Sequence, residues 1–196
     1  MVLIKRARPE DSPFIAALHC RQISWGLLSQ LGLGFVATFY ETLLRSPLGF
    51  GFVAQQDGRT VGFSTGVVDW RRFYRGFLRR HIWLTMRIVM ANVRGGRWWR
   101  LLETARYAGA TALPAAELVS IALEPEARGT GCGDMLVRHI LKEFADRQVH
   151  AVRVTAGEGN VPAHRLYERA GFRLRAQMEI HPGEHAAVYV ITLEPA

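Results

Sequence analysis

The sequence has few of the features that mark secreted, metal-binding or membrane-spanning proteins. It contains two cysteines, Cys20 and Cys132, and neither their number nor their contexts indicate a disulfide framework or a metal site. The longest apolar run, Ile82 to Val93, carries Arg87 and is too short to cross a bilayer. The first residues turn polar at once, unlike a cleavable signal peptide. Together these absences favour a cytoplasmic protein.

Positive charge is concentrated in one segment of the chain. Residues 69 to 106 hold ten arginines against Asp69 and Glu103, and this segment accounts for the whole formal net charge of +8, because the rest of the chain has equal numbers of acidic and basic residues. The 196 residues, of which 49% are hydrophobic, can bury one sizeable core. We therefore expect a single domain over residues 1–196, with the basic segment as a local feature of it.

The stretch from 117 to 141 predicts a strand, a glycine loop and a helix. Apolar and partly β-branched residues run from Leu118 to Leu123, and Pro125 ends the strand. Residues 128–133 then read RGTGCG, and apolar residues at helical spacing follow. Glycines let backbone amides approach a ligand closely, and a helix N-terminus attracts anions. The stretch therefore predicts a binding site for a pyrophosphate.

A second motif lies further along the chain, at residues 160–172, which read NVPAHRLYERAGF. Asn160 is a favourable helix N-cap, Pro162 suits a first helical turn, and Gly171 suits a helix end. The glycine loop fits neither the dinucleotide fingerprint nor the P-loop pattern. The two motifs together resemble the GNAT superfamily of acyl-CoA-dependent N-acetyltransferases, which carries [QR]-x-x-G-x-[GA] and then N-x-x-A-x-x-L-Y-x-x-x-G-F in this order.

The resemblance implies a fold and a cofactor site. The fold would be an α/β domain with a mixed, mostly antiparallel sheet flanked by helices and with a helical insertion before the central cofactor-binding strand. Acetyl-CoA would be the acyl donor, with no metal. Its pyrophosphate would lie on the glycine loop, its pantetheine arm would pair with the end of the preceding strand, and a helix residue would also contact it. The implied cofactor residues are Ile121, Ala122, Leu123, Arg128, Gly129, Thr130, Gly131, Cys132, Gly133, Asn160 and Tyr167.

Two residues are catalytic candidates on the same resemblance. Tyr167 matches the family tyrosine that gives a proton to the departing sulfur, and a phenol stays protonated at neutral pH. Glu117 lies in Ala-Glu-Leu-Val, a sequence in which some members carry a catalytic glutamate that acts as the base. A glutamate that is simply solvated, with water as the proton relay, is the open alternative. Cys132 is expected to be a packed, non-catalytic thiol.

The implied activity is transfer of an acetyl group from acetyl-CoA to a primary amine, by direct attack in a ternary complex. The acceptor stays open among small amines, amino sugars, antibiotics and proteins. A catalytically silent CoA-binding or sensor module on the same fold is the alternative function.

The predicted insertion, residues 71–107, contains all ten arginines of the basic segment. It is far longer than an ordinary loop, and its pattern predicts two helices separated by Gly95-Gly96. As a wall or lid of the acceptor pocket, its arginines would favour an anionic acceptor. A solvated face, a homodimer interface and contact with a membrane surface are the alternatives. No nucleic-acid-binding motif accompanies the arginines, so we do not expect a nucleic-acid partner on sequence grounds.

The remaining elements follow from local patterns. Asp57-Gly58 between two apolar runs predicts a tight hairpin. A first strand is expected at Val2–Ala7. Helices are expected at Ser12–Cys20 and Leu33–Leu44, and a closing hairpin at residues 172–193.

Overall fold

Seven strands form one continuous sheet in the computed structural model, which describes residues 2–23, 28, 31–83, 113–181 and 184–194. In chain order the strands are Val2–Arg6 (β1), Gly49–Gln56 (β2), Arg59–Val67 (β3), Ala116–Leu123 (β4), Ala151–Gly157 (β5), Arg173–His181 (β6) and Glu184–Thr192 (β7). In space their order is β1-β2-β3-β4-β5-β7-β6. All neighbouring pairs are antiparallel except β4 and β5. The predicted mixed, mostly antiparallel sheet is confirmed.

Helices cover both faces of this sheet. The described residues form the α-helices Ser12–Gln22 (α1), Leu33–Arg45 (α2), Trp70–Arg80 (α3), Cys132–Asp146 (α4) and Val161–Arg169 (α5). On one face, apolar residues of β2 and β3 pack with α1, α2 and α3. On the other, apolar residues of β4, β5 and β7 pack with α4 and α5. None of the described helices is long and apolar enough to cross a membrane.

The predicted hairpin at Asp57-Gly58 joins β2 to β3. Both turn residues have positive φ, 50° at Asp57 and 79° at Gly58, which is the conformation that a two-residue turn of the primed type requires. The hairpin β6–β7 likewise closes the sheet at its edge. In both cases the residues between the two strands predict the hairpin from the sequence.

Helix α3 is the described beginning of the predicted helical pair at residues 71–107; the rest of that pair, from residue 84 onward, lies outside the described residues. The carboxylate of Asp69 caps α3 by accepting a hydrogen bond of 2.9 Å from the amide of Arg72. Phe73 and Phe77 then pack edge-on against Phe39 of α2, with ring centroids 5.6 and 5.5 Å apart. These aromatic contacts fix α3 on the outer side of α2.

Strands β4 and β5 touch only at their beginnings. Residues 116–118 of β4 pair with residues 152–154 of β5, but β4 continues to Leu123 and β5 to Gly157 without further pairing between them. Each strand stays in the sheet because it pairs with its other neighbour. Residues 62–67 of β3 pair with β4, and β7 pairs with all of β5. The sheet therefore opens into a V-shaped gap at its centre.

The close approach of α4 to β3 gives a stability prediction. A Cβ at Gly66 would lie 2.7 Å from a ring carbon of Phe144, whereas a Cβ at Gly76 in α3 would meet no atom within 4 Å. We expect Gly66→Ala to lower the free energy of unfolding by about 1–3 kcal/mol through overpacking. Gly76→Ala, the matched control, should raise it by up to about 1 kcal/mol because alanine is the better helix former. Urea unfolding measures both, and a Gly66→Ala protein as stable as wild type would contradict this packing.

Candidate active site

A groove of 1220 Å³ lies where β4 and β5 part. Its walls come from the end of α1, the last three residues of β4, the glycine loop, the start of α4, and the turn that leads from β5 into α5. The lining residues are Gln22, Ile23, Ile121, Ala122, Leu123, Arg128, Gly129, Gly131, Gly133, Asp134, residues 157–163, Arg165, Leu166, Arg169 and His185.

One end of the groove is a row of unpaired backbone amides. In the part of the chain that the structure describes, the N–H groups of residues 129–134 donate to no protein acceptor. Gly129 and Gly131 have φ of 74° and 81°, a left-handed conformation that favours glycine. A Cβ at either position would meet no protein atom, so the space above the loop is open. These amides and the positive end of α4 form an anion site.

Another wall of the groove is a free strand edge. Beyond Leu118, the side of β4 that faces β5 has no strand partner as far as Leu123. The backbone N–H and C=O groups on that side can pair with an extended ligand that carries amide groups, as a further strand would. The anion site and the strand edge adjoin each other, because Pro125 and the glycine loop directly follow β4.

The structure brings most of the predicted cofactor residues together in this groove. Ile121, Ala122, Leu123, Arg128, Gly129, Gly131, Gly133 and Asn160 all line it. Thr130, Cys132, Tyr167 and Glu117 are not among the lining residues.

Three of the predicted residues have structural contacts of their own. The hydroxyl of Thr130 donates to the carbonyl of Ala127 at 2.8 Å. The side chain of Cys132 is buried, and burial raises the pKa of its thiol, so the helix N-terminus does not make it a reactive thiolate. Asn160 caps α5, since its side-chain oxygen accepts from the amide of Ala163 at 3.2 Å.

Tyr167 is buried in the apolar cluster against which the groove residues Ala163 and Leu166 also pack. Its ring packs near Phe172 and Tyr189, with centroids 5.8 and 6.2 Å away. Burial raises the pKa of Tyr167, so the phenol stays protonated at neutral pH. Its hydroxyl makes no hydrogen bond to any residue that the structure describes and therefore keeps its proton available.

Glu117 forms a buried ion pair with Arg153 on the neighbouring strand. The Nε and Nη2 atoms of Arg153 both donate to Oε2 of Glu117, at 2.9 and 2.6 Å. Burial raises the pKa of Glu117, and the guanidinium charge and hydrogen bonds of Arg153 oppose that rise. A carboxylate held in this way is poorly placed to accept a proton from an acceptor amine, which argues against Glu117 as the base.

A second set of buried polar contacts, a chain of hydrogen bonds, connects β4 to helices α1 and α2. The Nδ1 atom of His19 lies 2.6 Å from the hydroxyl of Tyr40, which donates to the hydroxyl of Ser120 at 2.9 Å. Burial lowers the pKa of His19 to about 4, so the ring is neutral at physiological pH. This chain ties α1 and α2 to the strand immediately before the groove.

Several groove residues escaped the sequence interpretation. Arg165 and Arg169 occupy variable positions of the second motif, His185 belongs to no motif, and Ile23 comes from a helix end about a hundred residues before the loop. Arg153 did carry a signal, because an arginine within the apolar run Ala-Val-Arg-Val needs a buried acidic partner. The described residues contain no cluster of three or more histidine, cysteine, aspartate or glutamate side chains that could hold a metal ion.

The arginines of α3 do not reach this groove. Arg72, Arg75, Arg79 and Arg80 line a different groove, between α2 and α3, which shares no residue with the first. The described arginines of the insertion therefore give no support to an anionic acceptor beside the cofactor groove. The remaining arginines of the segment lie outside the described residues.

Comparison with known proteins places this arrangement in one family. The model of the Acetyltransferase (GNAT) family matches residues 20–172. Three solved structures share the fold across nearly their whole length. A Drosophila melanogaster polyamine N-acetyltransferase has a TM-score of 0.71 at 15% identity, covering 98% of this chain and 100% of its own. The Escherichia coli ribosomal-protein-S18-alanine N-acetyltransferase has a TM-score of 0.64 at 17% identity, and the match covers 100% of this chain and 96% of that enzyme. The protein yncA from Salmonella typhimurium, solved with its cofactor acetyl-CoA, has a TM-score of 0.65 at 17% identity, and the match covers 100% of this chain and 95% of yncA.

The buried ion pair gives a prediction about stability and its pH dependence. Arg153→Met leaves Glu117 buried without its counter-charge, so we expect a loss of about 3–5 kcal/mol in the free energy of unfolding at neutral pH. Without the guanidinium, the pKa of Glu117 in the folded protein should rise further above its unfolded value. The folded variant then binds a proton more tightly than the unfolded chain, so its stability should be greatest in acid and fall as pH rises through the folded pKa.

The control is Lys142→Met, which breaks the exposed i,i+4 pair with Asp146 and should cost less than about 0.5 kcal/mol. Urea unfolding across a pH series measures both variants. An Arg153→Met protein with a loss as small as that of Lys142→Met would contradict the buried pair.

Proposed function

Since the chain belongs to the GNAT acetyltransferase family, we propose that it transfers an acetyl group from acetyl-CoA to a primary amine by direct attack in a ternary complex. One observation carries the proposal: the unpaired amides of residues 129–134 adjoin the free edge of β4 in a single groove. Acetyl-CoA joins a pyrophosphate to an extended arm with two amide groups. A site for it needs an anion cradle and a free strand edge in this order.

The groove residues would hold and aim the donor. The amides of the glycine loop would bind the pyrophosphate, with Gly129 and Gly131 supplying the left-handed backbone and the open space above it. Arg165 and Arg169 line the same groove and add positive charge for the phosphates. Residues 121–123 would pair with the amide-bearing arm and point its thioester toward the gap between β4 and β5.

The chemical step requires an amine without its extra proton and a proton for the departing thiolate. The amine lone pair attacks the thioester carbonyl, and the carbon–sulfur bond breaks as the amide forms. We assign proton donation to Tyr167, because its raised pKa keeps the phenol protonated and its hydroxyl is unpartnered among the described residues. Ala163 and Leu166, which line the groove, pack against the same apolar cluster as Tyr167.

We assign the deprotonation of the amine to water rather than to Glu117. The carboxylate of Glu117 is occupied by two hydrogen bonds from Arg153, and it is not among the groove-lining residues. We infer that the pair instead fixes the geometry at the base of the gap.

A catalytically silent CoA-binding module is the second candidate. The observation that favours it is that neither catalytic candidate, Tyr167 or Glu117, lines the groove. Such a module would bind CoA through the same loop and strand edge but would not transfer the acetyl group.

The decisive experiment is an acceptor panel with acetyl-CoA that reports released thiol. The structural neighbours named for polyamines and for a ribosomal-protein alanine suggest two arms, a polyamine and a peptide with a free N-terminal alanine. We expect thiol release with at least one amine, and a fall in kcat of about 10²–10⁴-fold in Tyr167→Phe with unchanged acetyl-CoA affinity.

Tyr189→Phe is the matched control, because this neighbouring tyrosine contacts His164 and should leave kcat nearly unchanged. Thermal stabilisation by CoA without thiol release for any amine would favour the silent module. If Tyr167→Phe and wild type have equal kcat, Tyr167 is not the proton donor and another group must supply the proton.

Binding of the donor gives a separate prediction. Gly131→Val places a branched side chain where the phosphates must approach the amides, so CoA should no longer raise the melting temperature. The control is Gly58→Val, because Gly58 has nearly the same φ, 79° against 81°, and equally open surroundings but lies in the β2–β3 turn. Both variants carry similar backbone strain. Normal CoA stabilisation of Gly131→Val, or its loss in both variants alike, would overturn the assignment of the loop.

A further inference from the structure

A second groove, of 760 Å³, lies between α2 and α3, apart from the candidate active site. Arg72, Arg75, Arg79 and Arg80 line it from α3. Arg72, Arg75 and Arg79 recur about once per helical turn and form a row along one side of the helix, and Arg80 flanks the end of this row, about 100° further round the helix. The two grooves have no lining residue in common, so this row has no part in the proposed transfer reaction.

The positive charge of this row is not compensated by neighbouring residues. None of the four arginines forms an ion pair with a residue that the structure describes, and α3 itself contains no acidic residue. The acidic residue that lines the groove, Glu41, pairs with Arg45 at 3.0 Å. Like charges three or four positions apart destabilise a helix, so this arrangement disfavours α3 unless an anion is bound.

The same positive field acts on His81 at the end of the helix. Burial lowers the pKa of His81, the adjacent charge of Arg80 lowers it further, and Glu41 opposes the effect. Its Nε2 atom lies 2.9 Å from the hydroxyl of Thr42 on α2. The groove is thus a positively charged cleft whose lining includes a histidine with a lowered pKa.

The shape of the groove argues against a membrane surface as the partner. An amphipathic helix that inserts into a bilayer must offer its apolar face to the lipid. The apolar face of α3 is already used, because Phe73 and Phe77 are 3% and 2% exposed and pack against Phe35 and Phe39 of α2. What α3 itself offers is a row of guanidinium groups along a groove, which a narrow chain can enter and a flat bilayer cannot.

We propose that the α2–α3 groove binds the phosphodiester backbone of a single-stranded nucleic acid. Guanidinium groups bind phosphate oxygens in a bidentate manner, and one arginine per helical turn of about 5.4 Å can contact successive phosphates along a strand. Trp83 is 78% exposed and Ile82 is 52% exposed, directly after α3. An exposed indole next to a basic groove is the usual means by which proteins stack an unpaired base.

The lack of a nucleic-acid-binding motif in the sequence is compatible with this partner. Such motifs identify folds that read base edges, whereas contacts to phosphates need only positive charge in the right geometry. The expected binding is therefore independent of base sequence and strongly dependent on salt.

The test is fluorescence anisotropy of a labelled single-stranded oligonucleotide over a series of salt concentrations. Four phosphate contacts predict a slope of log K against log salt of about −2.8, since each contact on a single strand contributes about −0.7. Replacing Arg75, Arg79 and Arg80 together by glutamine should bring the slope to about −0.7 and weaken binding at low salt. Trp83→Ala should weaken binding while leaving the slope unchanged, because stacking releases no counterions.

The control replaces Arg59, Arg138 and Arg175 by glutamine. These three residues are exposed and lie outside both grooves, and replacing them removes the same total charge. A similar loss of slope in the control would overturn the proposal in favour of non-specific attraction by net charge. Binding to phosphatidylserine vesicles without binding to the oligonucleotide would also overturn it. Thermal melts with and without CoA check that both triple variants are folded, and that result does not depend on whether the oligonucleotide binds.

Discussion

The parting of β4 and β5 is the constraint on which the rest of the structure depends. Three residue pairs join these strands, and the middle pair is Glu117 opposite Arg153. Both side chains are buried, so the charged groups can be accommodated only by binding each other. Beyond this point each strand follows its outer neighbour, and backbone groups at the centre of the sheet are left without partners. Buried backbone groups are normally paired, so a gap of this kind persists where a ligand or water can satisfy them.

Two helices are fixed to the rim of this gap by polar contacts from distant parts of the chain. At the end of α1, Arg21 contacts Glu124 and Gln22 contacts Arg128, on either side of Pro125. Further back, His19 and Tyr40 connect α1 and α2 to Ser120. The contacts of Arg21 and Gln22 are exposed, whereas the hydrogen bonds of His19, Tyr40 and Ser120 are buried, and a buried hydrogen-bonded network holds the elements that it joins in a fixed arrangement. The strand edge, the loop and the first two helices therefore behave as one unit around the groove.

Features that depend on neighbouring residues were predictable from the sequence, and those that depend on distant ones were not. The left-handed glycines of the loop, the Asn160 cap and the Asp57-Gly58 turn are each determined within a few positions. The partner of Glu117 lies 36 positions away, and it could be found only once the register of β4 on β5 was known. A bulge opposite Thr65 and Gly66 further interrupts the alternation of faces along β4, which a period-two pattern cannot anticipate. The burial of Tyr167 likewise arises from packing between α5, β5 and β7.

The separation of the arginine row from the cofactor groove has a consequence for how the molecule meets other molecules. Outside residues 69–106 the acidic and basic side chains cancel, so the formal net charge of +8 is concentrated in one segment of the chain, and α3 carries five of its ten arginines. Charge concentrated in this way attracts a polyanion to that segment, and added salt weakens the attraction. The arginine row and the groove between β4 and β5 have no lining residue in common. A partner that contacts only the arginine row therefore touches none of the residues that line the opening through which small molecules would enter and leave.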